Sequence, residues 1–103
     1  MFSEESERLR EKGIQIIIAL GHSGYQRDQE IALQCPDVDL VIGGHTNTFL
    51  YNGNQPDAER IDGPYPTVVK QANGKEVPVV QAYAYTKYLG KLHVQVRLKS
   101  LIV

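Results

Sequence analysis

Apolar residues fall in short blocks along this chain, and the spacing within a block changes from one to the next. Ile14 to Leu20 is a near-continuous apolar run in which Gln15 is the one polar interruption, and Val38 to Ile42 is a second. Both runs stop at a glycine, Gly21 and Gly43. Such runs predict buried strands that expect cover on both faces. Between them, Tyr25 to Cys35 carries helix formers with Ile31 and Cys35 at i, i+4 on one face. Pro36 stops that helix because proline cannot continue the hydrogen-bond ladder. Strand, helix and strand make a βαβ unit, whose two strands run parallel in one sheet.

The flanks complete an α/β plan. Ser3 to Lys12 predicts a short surface helix, with Glu4, Glu5 and Glu7 near its start, Arg8, Arg10 and Lys12 near its end, and Gly13 as its stop. After His45 the texture turns to loop chemistry, Asn52-Gly53-Asn54-Gln55-Pro56-Asp57 and Asp62-Gly63-Pro64, so residues 52–66 read as a surface loop. Thr67 to Lys70 and Val77 to Ala82, joined near Asn73-Gly74, predict a β-hairpin. Pro78 suggests that the second of these strands lies at an edge or a bulge. A last strand is expected over Lys91 to Lys99, with Leu92, Val94, Val96 and Leu98 facing in and His93 on the polar, solvent-facing side.

Composition narrows the function classes. The 103 residues support at most one domain, and 42% hydrophobic content fits a globular chain. A net charge of −1 with scattered lysines and arginines gives no case for nucleic-acid binding. No apolar run approaches the roughly 20 residues that cross a bilayer, so no transmembrane segment is expected. Met1 to Glu5 is acidic and has no apolar core, which excludes a signal peptide within this segment. The single cysteine, Cys35, excludes an internal disulfide and reads as small apolar packing on the inner helix face. Tyr83, Tyr85 and Tyr88 follow a β-rich stretch and read as packing aromatics.

The chemistry concentrates at two turns. Gly21-His22-Ser23-Gly24 follows the first predicted strand, and Gly43-Gly44-His45-Thr46-Asn47 follows the second. Each presents an imidazole, the commonest neutral metal ligand, from a glycine-rich turn. In a parallel pair the C-terminal strand ends lie on one edge, where open α/β sheets place their sites. His22 and His45 are therefore expected side by side, as half of a metal site.

These motifs resemble the 5′-nucleotidase family, in particular animal ecto-5′-nucleotidases and secreted apyrase relatives. The likeness rests on Gly-His-Ser-Gly at 21–24, Gly-Gly-His-Thr-Asn-Thr at 43–48, Phe49-Leu50-Tyr51 with Gly53-Asn54, and Pro78 to Ala84 through Lys87-Tyr88-Leu89-Gly90. It covers roughly residues 14 to 98. The resemblance implies a calcineurin-like metallophosphoesterase domain, an α/β/β/α sandwich holding two divalent metal ions, zinc in the animal enzymes. By the same motifs it implies His22 and His45 as metal ligands and Asn47 near the metals and the substrate phosphate. The glycines would leave room for metal and phosphate to approach the backbone.

The resemblance further implies hydrolysis of nucleoside 5′-monophosphates such as AMP, an extracellular or cell-surface setting, and a homodimer for the intact enzyme. The family's Asp-x-His, Gly-Asp and Gly-Asn-His-Glu motifs do not occur here, so no catalytic residue is assigned. Asp39 lies inside an apolar strand and Asp62 in a turn, so neither stands as a bridging carboxylate. The chain is accordingly expected to be a partial domain over 1–103, lacking its upstream half and a C-terminal substrate domain, and inactive alone. Two alternatives stand beside this one: a truncated non-catalytic binding or decoy module of the same family, and a small α/β domain whose histidines are structural.

Overall fold

Where the two apolar runs actually pair determines which of their residues are buried. The computed structural model describes residues 2–96, and its elements are α1 (Phe2–Glu11), β1 (Ile18–Leu20), α2 (Tyr25–Gln34), β2 (Leu40–Ile42), β3 (Thr67–Lys70) and β4 (Glu76–Val80). They build one four-stranded sheet in the order β1-β2-β4-β3. β1 and β2 are parallel, with Ile18 opposite Leu40 and Leu20 opposite Ile42, as the βαβ pattern requires. β2 and β4 are also parallel, while β3 and β4 form the antiparallel hairpin around Asn73-Gly74.

Helix α2 covers one face of the sheet. Ile17, Ala19, Val41, Val77 and Val79 from the sheet side meet Ile31, Ala32 and Cys35 of α2, with Val38 completing the core. Gly13 adopts φ +90°, a left-handed conformation that only glycine reaches cheaply, and this ends α1 as expected. Leu9 of α1 packs against the core edge, and Ser3 Oγ lies 3.2 Å from Cys35 Sγ. Cys35 is buried and free, in keeping with its packing role.

Among the described residues, the opposite face is exposed mainly along its outer strands. Ile16 and Ile18 are about half exposed, Leu20 is 75% exposed, and Val68 on β3 is half exposed. The near-continuous run from Ile14 therefore does not become one long strand covered on both sides. Only Ile18–Leu20 pairs, and burial alternates from Ile17 inward to Ile18 outward. The reason is local: β2 is equally short, and the Ile17 N–H is taken by the Asp39 carboxylate at 2.9 Å before the ladder begins. Asp39 itself lies just before β2 rather than inside it, tied to Arg10 and Lys75 at 3.0 and 2.7 Å.

Two further expectations are corrected. β4 is an interior strand, not an edge, although it holds Pro78. The missing proline N–H is tolerated because pairing with β2 starts only at Val79. Residues 91–96 form no strand, and His93, Val94 and Val96 are all exposed. Nothing in the described structure pairs with them, so alternation alone could not make a strand, and the rest of that segment lies outside the described residues. His93 faces solvent as expected, without the strand invoked for it.

Residues 52–66 form the anticipated surface loop. Lys87 clamps it through Asp57, at 2.6 Å, and Glu59. These carboxylates push the Lys87 ammonium above the usual lysine range, and Lys87 holds both carboxyls below theirs. Phe49 stacks on Tyr88 at 4.6 Å and meets Tyr83 edge-on, so these two tyrosines pack, while Tyr85 remains exposed.

Candidate functional site

The parallel pairing of β1 and β2 delivers both histidine turns to one edge. His22 and His45 stand with ring centroids 5.1 Å apart and planes at 69°, an edge-to-face pair. Both residues are exposed. The juxtaposition expected from two strand-glycine-histidine units is present.

The local geometry assigns the glycines a different task from the one read in the sequence. Gly43 and Gly44 are not where the backbone turns left-handed. That conformation falls on His45 (φ 78°) and Asn47 (φ 50°), residue types that tolerate it better than most. What the glycines provide is space for side chains of this chain. A Cβ on residue 44 would lie 2.9 Å from His22 Nδ1, so the imidazole rests against bare backbone there. A Cβ on residue 43 would lie 1.7 Å from Asp28 Oδ2. The room expected for metal and phosphate at these two positions is thus occupied by an imidazole and a carboxylate.

The second turn is braced from two sides. Gly24, the residue before α2, has no side chain to cap the helix. Thr46 does so from across the site: its Oγ1 accepts the Tyr25 N–H at 3.1 Å. Gln81, 4% exposed just after β4, holds the same turn. Its Oε1 accepts the Thr48 N–H at 2.7 Å, its Nε2 donates to Thr46 Oγ1 at 3.4 Å, and Thr46 and Thr48 share a hydroxyl contact of 2.6 Å. Asn47, between these threonines, is exposed and lies on the same turn as His45.

Asp28 belongs to the first turn of α2 and is 1% exposed. Its Oδ2 has no hydrogen-bond partner among the described residues. Burial pushes its carboxyl above the usual range, and the nearby His22 opposes that shift. Sequence reasoning missed both Asp28 and Gln81. The available signal for Asp28 was its place on the stripe Asp28, Ile31, Ala32, Cys35, where a helix facing a core carries apolar residues. Gln81 carried no such signal.

Among the described residues, no group of three or more histidine, cysteine, aspartate or glutamate side chains converges as a metal cluster. Nor is any helix among them long and apolar enough to cross a membrane. Two imidazole donors on one exposed edge have the chemistry of one side of a metal site.

The sequence matches no family model. It does match individual proteins closely. Protein 5NUC of Lutzomyia longipalpis is 52% identical over 100 residues, which is 96% of this chain and 18% of that protein. Snake venom 5′-nucleotidase of Gloydius brevicauda is 54% identical over 91 residues, 88% of this chain and 16% of that protein. The solved structure of a 5′-nucleotidase precursor from Thermus thermophilus superposes with a TM-score of 0.70 at 40% identity, covering 79% of this chain and 16% of that one. The chain therefore spans less than a fifth of each of these three proteins. Since about half of its residues recur over almost its whole length, on the same backbone arrangement, the chain belongs to the 5′-nucleotidase family.

Proposed function

We propose that this chain supplies one side of a two-metal phosphoesterase centre, with His22 and His45 as metal ligands and Asn47 beside the substrate phosphate. The observation that supports this reading is the pair of imidazoles, set 5.1 Å apart by neighbouring parallel strands. Neutral imidazole suits zinc and other borderline divalent ions. His22 and His45 would hold such an ion from one side, and the chemistry it would supply is Lewis-acid polarisation of phosphoryl oxygens and of bound water. The chain's own contribution is positional. Gly44 gives the His22 ring its seat, the Thr46–Gln81 brace fixes the turn that carries His45, and Asn47 offers an exposed amide to a phosphate oxygen. The substrate class is a nucleoside 5′-monophosphate such as AMP, cleaved to nucleoside and inorganic phosphate.

Two donors leave such a site open, since catalytic zinc sites take about three protein ligands each. On this reading residues 1–103 are part of a larger metallophosphoesterase domain, and the remaining ligands and the nucleoside pocket come from elsewhere in a longer polypeptide. The bare sheet face at Ile16, Ile18, Leu20 and Val68 supports this, because a second layer would cover it. A separate non-catalytic module fits less well, since it would leave that face in water. The kinship with a venom protein supports an extracellular setting.

The test is phosphate release from AMP by the longest product of the source that carries this segment, alongside its H22A and H45A variants. Turnover should fall by orders of magnitude in each, as loss of a direct metal ligand requires. Unchanged turnover in either variant would sink the ligand assignment. The 103-residue chain with added zinc should release no phosphate, and release would overturn the reading of a partial centre.

A further inference from the structure

Among the described residues, Asp28 is the only fully buried charged side chain, and no role above uses it. Its Oδ2 fills the space that a side chain on Gly43 would take, and the next residue, Gly44, seats the His22 ring. The carboxylate therefore lies under the turn that links β2 to His45, beside the backbone on which His22 rests. Oδ2 has no donor among the described residues. A buried carboxylate without a partner is destabilising in general, and an amide of the same shape would remove most of that cost. Packing alone therefore gives no reason for an acid here. Costs of this kind concentrate where a charge is used.

We propose that Asp28 is a positioning residue for cation capture: its carboxyl group, set beneath the His22–His45 edge, favours a divalent cation on the two imidazoles. This rests on the reading of His22 and His45 as metal ligands. Gly43 and Gly44 are consecutive, so the carboxyl group and the His22 ring rest against adjacent residues of one turn. Groups just outside the ligands of a metal commonly change its affinity by about 10- to 100-fold.

The experiment is a zinc titration of the full chain, followed by the imidazole C–H signals in NMR, with exposed His93 as the internal control. In the wild-type chain His22 and His45 should respond together and ahead of His93. Asp28→Asn should weaken that response by roughly tenfold, while its thermal midpoint stays the same or rises because an unpaired buried charge has gone. Wild-type zinc affinity in D28N overturns the proposal. So does a fall in affinity matched by a loss of stability, which would mark Asp28 as scaffold. H22A separates this inference from the reading beneath it. If H22A abolishes the response and D28N leaves it intact, the histidines stand and Asp28 falls. If H22A leaves the response intact, the histidine reading falls and takes the proposal with it.

Discussion

Gly43→Ala is the sharpest test of the packing beneath the histidine edge. The added methyl would lie 1.7 Å from Asp28 Oδ2, 2.6 Å from its Cγ and 3.2 Å from its Oδ1, so the whole carboxyl group must withdraw. Ordinary carbon–oxygen contact is reached only well beyond the first two of these distances, which asks for a displacement of about 2 Å. Asp28 is 1% exposed and has no solvent to retreat into. The alternative is for the backbone to move, but the Gly43 N–H donates to Val80 O at 3.0 Å and extends the β2–β4 pairing. Overpacking of a buried site costs about 1–3 kcal/mol, and a lost hydrogen bond adds about 1. A destabilisation of about 2–4 kcal/mol follows, which lowers the thermal midpoint of a chain this size by roughly 8 °C or more. Unfolding followed by circular dichroism would read it. The decisive arm is the double variant: with Asp28→Ala the obstacle is gone, and Gly43→Ala should recover about 1–3 kcal/mol through the coupling between the two sites. A Gly43→Ala change that costs less than about 0.5 kcal/mol, or costs as much in the D28A background, would refute this account of the glycine.

Other perturbations test neighbouring parts of the structure. Burial opposes the charge on Asp39, but Lys75, the Ile17 N–H and Arg10 outweigh it and hold its carboxyl below the usual range. Its stabilisation is therefore present above the unfolded pKa of about 4 and is lost as pH falls through the lower folded value. Asp39→Asn should cost about 1–2 kcal/mol at neutral pH and flatten the acid limb of a urea-midpoint profile; an unchanged limb would refute the assignment. Thr46→Val keeps the shape but removes the acceptor for Tyr25 N–H and Gln81 Nε2, and should destabilise by about 1–2 kcal/mol in equilibrium unfolding. His93→Ala should leave AMP turnover of a longer product unaltered, because His93 is exposed and belongs to no turn at the site; a large loss would show a role that its position does not suggest.

The features legible in the sequence were those set by local chemistry. Pro36 and the i, i+4 spacing marked the end and the inner face of α2, and the two strand-glycine-histidine units marked the edge where His22 and His45 meet. Pairing was not local, and there the sequence was silent. Nothing in Ile14 to Leu20 says that β1 begins at Ile18, because the limit comes from Asp39 taking the Ile17 N–H across the sheet. Pro78 signals an edge by its own chemistry, yet β4 lies inside because the partner strand is short. At the site, the reason for each glycine in Gly43-Gly44 lay in residues distant along the chain, Asp28 and His22. Distance in sequence hid the reason; the glycines themselves were visible.

The uncovered sheet face governs how this polypeptide behaves in a tube. Leu20, Ile18, Ile16 and Val68 form apolar ground on a sheet whose two outer strands, β1 and β3, each have a strand partner on one side only among the described residues. Such a surface is sticky in two ways, by face and by edge. Its charge gives little counterweight, since a net charge of −1 provides almost no colloidal repulsion between copies. The chain made alone should therefore stay monomeric only in dilute solution, and concentrating it should drive association long before any change in fold. Low concentration, and a buffer free of excluded osmolytes, are requirements written into the sheet itself.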